Sequence, residues 1–259
     1  MRNIALLLLI AAVVFITALY FGQRKILFPA PGDGRPLALP ADVELIEARV
    51  GYGLLAKPLD GEGPAPLIVF AHGNGEVAHW WLEAFRHFRE LGFAILLLEY
   101  PGYAGAPGSP TAASIEESAL QALDLVSKRQ DIDEQRIIAY GRSIGSGVAC
   151  LLAAKRPVAA LVLESAFSSL RSLVKEHGYP AFLLRDQFDN DQIVPELDIP
   201  VFLYHGRNDK LIPFSHTQRL AELAKRARLV EVNCGHNNCP RPWPQLTQFL
   251  GAAQLIDKD

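Results

Sequence analysis

The chain has 259 residues, half of them apolar and a fifth charged, with a formal net charge of −3 at pH 7. That length suits one large domain or two small ones and supplies a sizeable core. No basic run or aromatic-basic interleaving occurs, which excludes a nucleic-acid binder; the three cysteines, Cys150, Cys234 and Cys239, lack zinc-site spacing and are too few to build the fold on disulfides.

The first element is the stretch NIALLLLIAAVVFITALYFGQ, uncharged between Arg2 and Arg24. About 20 such residues rise about 30 Å as a helix, the thickness of a bilayer core. Tyr20 and Phe21 fall where interfacial aromatics belong, followed by Arg24 and Lys25 as anchors. A cleaved signal peptide would have a shorter apolar region and small residues at the cut site, so an uncleaved anchor over residues 1–28 is expected. Residues 29–42, rich in Pro and Gly, read as a linker to a body spanning 43–259.

Within the body, apolar runs alternate with longer periodic ones. Residues 43–50 and the neighbouring GLLAKPL suggest an opening antiparallel pair. PLIVFA (66–71) and FAILLLEY (93–100) are continuous apolar runs, as buried parallel strands require. Between them, 77–91 reads as a helix. Residues 114–130 read as a helix opened by a capping box of Ser114 with Glu117. RIIAY (136–140), 158–165, 199–206 and 228–233 read as further strands, with helices after Ser143, over 214–227 and over 242–254. Such alternation predicts an α/β fold, a mostly parallel sheet covered by helices on both faces. Residues 166–198 break the alternation; a connection this long predicts either a small cap over the sheet or a helical detour that only packs.

GRSIGSG (141–147) lies where the strand 136–140 gives way to a helix. A turn that sharp strains the serine backbone and presses the residues two before and two after it together, which explains Gly141 and Gly145. Ser143 then stands at a helix N-terminus, where the amide of Ile144 and the helix dipole favour developing negative charge. A serine hydroxyl needs a base. His236, in CGHNN, follows the last strand and can reach over the sheet; Asp209, in HGRNDKLIP, follows the strand 199–206 and can fix the imidazole. The order Ser143, Asp209, His236 is the one expected of this triad on a parallel α/β sheet. For the second oxyanion donor, the loop after 66–71 offers the amide of Asn74, with Gly73 as the alternative; His72 is expected to bond its own loop. His79, His87, His177, His205 and His216 have no partner that the sequence identifies. Tyr103, or alternatively Tyr100, is expected to wall a pocket, and the apolar cap residues Phe182 and Phe188 to contact an acyl chain.

Taken together, AHGNGE, EYPGYAGAPGSP, GRSIGSG, ESAFSS, HGRNDKLIP and CGHNN make the chain resemble the α/β-hydrolase superfamily, and within it the membrane-anchored α/β-hydrolase-domain proteins, over residues 43–254. The resemblance implies an eight-stranded sheet with one antiparallel strand, the triad above, and hydrolysis of an ester, thioester or amide. Asn237 departs from the aspartate often found at that place in these relatives.

The expected function is therefore a membrane-anchored serine hydrolase acting on small acyl or lipid-like esters, without metal or organic cofactor. Its alternatives are a peptidase of the same fold and a non-catalytic anchored binding protein. Cys234 and Cys239 either bridge or stay reduced. The lysine and arginine count around the anchor slightly favours a cytoplasmic body, whereas a bridge would favour the far side; an extracytoplasmic body is the expectation.

Overall fold

The computed structural model describes residues 2–36 and 38–256. Met1 of the expected anchor, Leu37 of the expected linker and residues 257–259 of the expected body lie outside the described residues. The order of elements is α1 (Arg2–Leu27), β1 (Val43–Glu47), β2 (Tyr52–Ala56), β3 (Ala65–Ala71), α2 (Arg86–Glu90), β4 (Ala94–Glu99), α3 (Ala112–Val126), β5 (Ile132–Arg142), α4 (Gly145–Lys155), β6 (Ala160–Glu164), α5 (Leu170–Glu176), α6 (Asn190–Ile193), β7 (Val201–Gly206), α7 (Phe214–Leu223), β8 (Ala227–Val232) and α8 (Trp243–Ala252).

The strands form one eight-stranded sheet in the order β1-β2-β4-β3-β5-β6-β7-β8. β2 runs antiparallel to both its neighbours, and every other pair is parallel. Every residue of β2, β3, β4, β6 and β7 is buried, so these strands carry apolar side chains on both faces rather than alternating. Each fully buried Leu, Ile or Phe contributes about 1.5–3 kcal/mol, which makes the central strands the main source of stability.

The register also sets the site. Ala71 at the end of β3 lies beside Gly141, and Arg142 beside Glu164. The loops leaving β3, β5 and β6 therefore open at one edge of the sheet, where the carboxyl ends of parallel strands hold binding sites.

Three local expectations are corrected. The helix expected over 77–91 is two short 3₁₀ turns, Ala78–Trp81 and Glu83–Phe85, followed by α2. The buried Glu99 carboxylate accepts the amide of Ala78 at 2.9 Å and so caps the first of these turns from the sheet. The capping box of α3 is Thr111 with Ser114, not Ser114 with Glu117; each side chain accepts the other's backbone amide at 3.0 Å. Several helices also end early: α3 stops at Val126 and α7 at Leu223.

Residues 166–198 form α5, α6 and two 3₁₀ turns, Ala181–Leu183 and Val194–Glu196. They pack down on the sheet's helices. Phe188 lies where a side chain at Gly147 would have to go, and Asn190 donates to Ser146 Oγ and the Phe167 carbonyl.

At the other end of the chain, Asn3–Leu27 is long and apolar enough to cross a membrane, and its most apolar window is not covered by the body at all. Phe28, directly after it, is buried in the core.

Candidate active site

β5 runs straight into the turn at Ser143, whose φ is +53°, in the left-handed region that serine adopts only under constraint. The surroundings impose it. A Cβ built on Gly141 would collide with the Gly145 carbonyl, and one on Gly145 with the carbonyls of Ala71 and His72. The Ser143 amide donates to the Glu164 carbonyl at 2.9 Å, which ties the turn to β6. Its own carbonyl accepts from the amide of Ser146 at 3.0 Å and from its hydroxyl at 2.6 Å as α4 begins. Gly145→Ala is expected to cost about 3 kcal/mol and to lower the melting temperature by about 6–12 °C, because both obstructing atoms are backbone. Gly34→Ala, which meets nothing within 4 Å, is the control and should melt as the wild type does.

The three candidate residues meet. Ser143 Oγ lies 3.0 Å from His236 Nε2, and His236 Nδ1 lies 2.6 Å from Asp209 Oδ2. Since the carboxylate only accepts, Nδ1 carries the hydrogen and leaves Nε2 free to accept from the serine. Asp209 receives four donors. Oδ1 accepts the amides of Leu211 and Ile212, each at 2.9 Å. Oδ2 accepts His236 and also His205 Nε2 at 3.0 Å. Burial alone would raise the Asp209 carboxyl, but the hydrogen bonds from His205 and His236 and from the Ile212 amide outweigh it and hold it well below the ordinary carboxylate value.

His205, for which the sequence offered no partner, is thus a second imidazole on the same carboxylate. It is fully buried, with Nδ1 2.5 Å from Thr217 Oγ1 and Nε2 2.9 Å from the Ile212 carbonyl. His216 and His177 also have partners: Ser168 and Glu176 for the first, the Leu211 carbonyl for the second. His72 bonds the Gly73 carbonyl, as expected of a loop-holding residue, and Glu99 in addition.

Of the expected oxyanion donors, Gly73 is already committed: its amide donates to Glu76 Oε2 at 2.7 Å. The amides of Asn74 and Ile144 donate to no group among the described residues. Tyr103 is buried beneath this loop instead of walling an open pocket, and its hydroxyl lies 3.5 Å from Asn74 Oδ1. The other two residues expected to contact substrate are not brought to the serine. Phe188 is spent packing over α4. Phe182 is 78% exposed and is not among the residues lining the cleft of about 670 Å³ beside His236. That cleft is polar, with Asn74, Glu76, Arg142, His236, Asn237 and Arg241 in its wall.

Arg142 is the site residue that the sequence motifs did not single out. It is buried directly before the serine. Nε donates to Glu164 at 3.1 Å, Nη1 to Glu76, and Nη2 to the His236 carbonyl and Asn237 Oδ1, each at 3.1 Å. An arginine inside a buried strand was the available signal, because such a charge requires acidic partners. Asn237 thus gives Arg142 a neutral acceptor, while the two glutamates balance its charge. Cys234 and Cys239 are joined, so a disulfide brackets the histidine loop.

Comparison with known proteins identifies the fold family. A model of the alpha/beta hydrolase fold family matches residues 66–191. An uncharacterized protein of Mycobacterium tuberculosis is 32% identical over 250 residues, covering 91% of this chain and 87% of its own length. The lysophosphatidylserine lipase ABHD12 of Macaca fascicularis is 26% identical over 185 residues, covering 62% of this chain and 46% of its own. Among solved structures, an esterase of Pyrococcus furiosus superposes with a TM-score of 0.67 at 14% identity, over 88% of this chain and 98% of its own.

Proposed function

The chain belongs to the alpha/beta hydrolase fold family, and on that premise we propose that it is a membrane-anchored serine hydrolase cleaving ester or thioester bonds of acyl, lipid-like substrates. The observation that carries this reading is the unbroken line from Ser143 Oγ through His236 to Asp209, opening beside two uncommitted amides. In the first step His236 Nε2 takes the serine proton as Oγ attacks the substrate carbonyl. The amides of Ile144 and Asn74 receive the oxyanion. The protonated imidazole gives its hydrogen to the leaving alkoxide or thiolate, which leaves an acyl group on Ser143. Water then repeats the sequence and frees the acid. A binding protein without catalysis has no need of this alignment.

The anchor reading draws support from the foot of α1. A signal peptide that is to be removed gains nothing from bonding the mature body, yet Gln23 and Arg24 do so. The disulfide around the histidine loop supports a body on the oxidising, extracytoplasmic side. The relation to a lysophosphatidylserine lipase favours lipid esters over peptides.

In membranes washed with alkaline carbonate, the full chain should stay in the pellet and a fluorophosphonate probe should label Ser143. p-Nitrophenyl acyl esters should then be hydrolysed faster than aminoacyl anilides. Release into the supernatant would remove the anchor, an unlabelled serine would remove the hydrolase, and a preference for anilides would make it a peptidase.

A further inference from the structure

α1 is fastened to the body at one place. Gln23 Nε2 donates to the Leu183 carbonyl at 2.9 Å, and its Oε1 accepts the Arg185 amide at 2.8 Å. Arg24 grips both oxygens of the buried Asp186, at 2.7 and 3.2 Å, and Asp186 also accepts the amide of Ala112 at 3.0 Å. The Arg185 guanidinium lies 5.1 Å from the centre of the Tyr20 ring. Residues 183–186 belong to the connection that leaves the carboxyl end of β6, and Ala112 to the one that leaves the carboxyl end of β4. The anchor therefore meets the body at the edge of the sheet that bears Ser143.

The surface around this joint is apolar. Leu19, Ile26 and Leu27 of α1 face Val174, Tyr179 and Leu183 across a groove with almost no polar lining. Beside it Phe182 is 78% and Tyr179 48% exposed, although large aromatics are normally covered. Tyr179 lines that groove with Leu19 and Ile26, and Phe182 adjoins Leu183, whose carbonyl takes Gln23, so the patch continues the apolar surface of the membrane segment. Tyr179 has the amphipathic ring that suits a headgroup boundary.

Resting on the anchored-hydrolase reading above, we infer that this face is a bilayer-docking surface. Tyr179 and Phe182 sink into the lipid beside α1 and turn the mouth of the site to the membrane, and the substrate is an acyl lipid drawn from that same leaflet. Phe182, which the sequence pointed to as a substrate contact, meets the bilayer rather than the reacting ester.

The test is a nitroxide label on the full chain in phosphatidylcholine–phosphatidylglycerol vesicles. Of the native cysteines, Cys150 is buried and the others are bonded to each other, so an introduced thiol is labelled selectively. Phe182→Cys is compared with Leu59→Cys, an exposed site before β3 at the opposite end of the sheet. Collision rates with oxygen and with a water-soluble nickel chelate should place the label at 182 about 5–10 Å below the headgroups and the label at 59 in water. Equal exposure to nickel at both sites, on a chain that stays with the vesicles, would overturn the docking and leave the anchor intact. Spin–spin broadening at 182 would assign the patch to a second copy of the chain and also overturn it. A chain that washes off the vesicles would remove the anchor and the inference together. Probe labelling of Ser143 reports on the hydrolase reading independently of all three.

Discussion

Ser143→Ala is expected to lower kcat for p-nitrophenyl esters by on the order of 10³–10⁶-fold and to abolish fluorophosphonate labelling while the protein stays folded. The backbone at 143 is held by its neighbours and not by the hydroxyl: the amide is fixed to the Glu164 carbonyl and the carbonyl to Ser146. Alanine meets the same constraint at φ +53° and loses only the contact with His236. Thermal melting and turnover measured on the same preparation separate the two effects. A variant that keeps more than a tenth of the wild-type rate would show that the hydroxyl is not the nucleophile.

Asp209→Asn should lower kcat about 10⁴-fold through the hydrogen on His236 rather than through charge alone. Both oxygens of Asp209 accept two donors each. An amide must turn its NH₂ toward one of those pairs. Facing the imidazoles, it forces His236 into the tautomer that cannot accept from Ser143. Facing the loop, it opposes the amides of Leu211 and Ile212, at a cost of about 1–3 kcal/mol. Acid unfolding offers a second readout. The native carboxyl titrates below its ordinary value of 3.8, so its stabilisation is complete above that pH and is lost as acid drives it lower. The asparagine variant lacks that component, and its stability should fall less steeply across the acid range.

The sheet was legible because parallel strands buried on both faces must be continuous apolar runs, and β3, β4 and β7 are such runs. Ser143 was legible for a steric reason: two glycines at fixed offsets record a collision that the fold creates. What escaped depends on contacts between distant segments. Nothing local to His205 announces that its strand turns it toward Asp209 four residues on, while Thr217 closes its other side. The break-up of 77–91 into 3₁₀ turns leaves no mark in its apolar helical pattern. Phe188 reads as a substrate-contacting cap residue only until the space above Gly147 is known. At α3 the error was one of choice: threonine and serine both cap well, and the helix begins a turn earlier, after Thr111.

Arg142 binds together three loops at the edge of the sheet that bears Ser143. Its guanidinium holds Glu76 beyond β3, Glu164 at the end of β6, and the His236 carbonyl. None of these loops can swing aside without stripping a buried cation of a partner. The floor of the site is thereby braced from three sides around a single guanidinium and holds its shape before any ligand arrives.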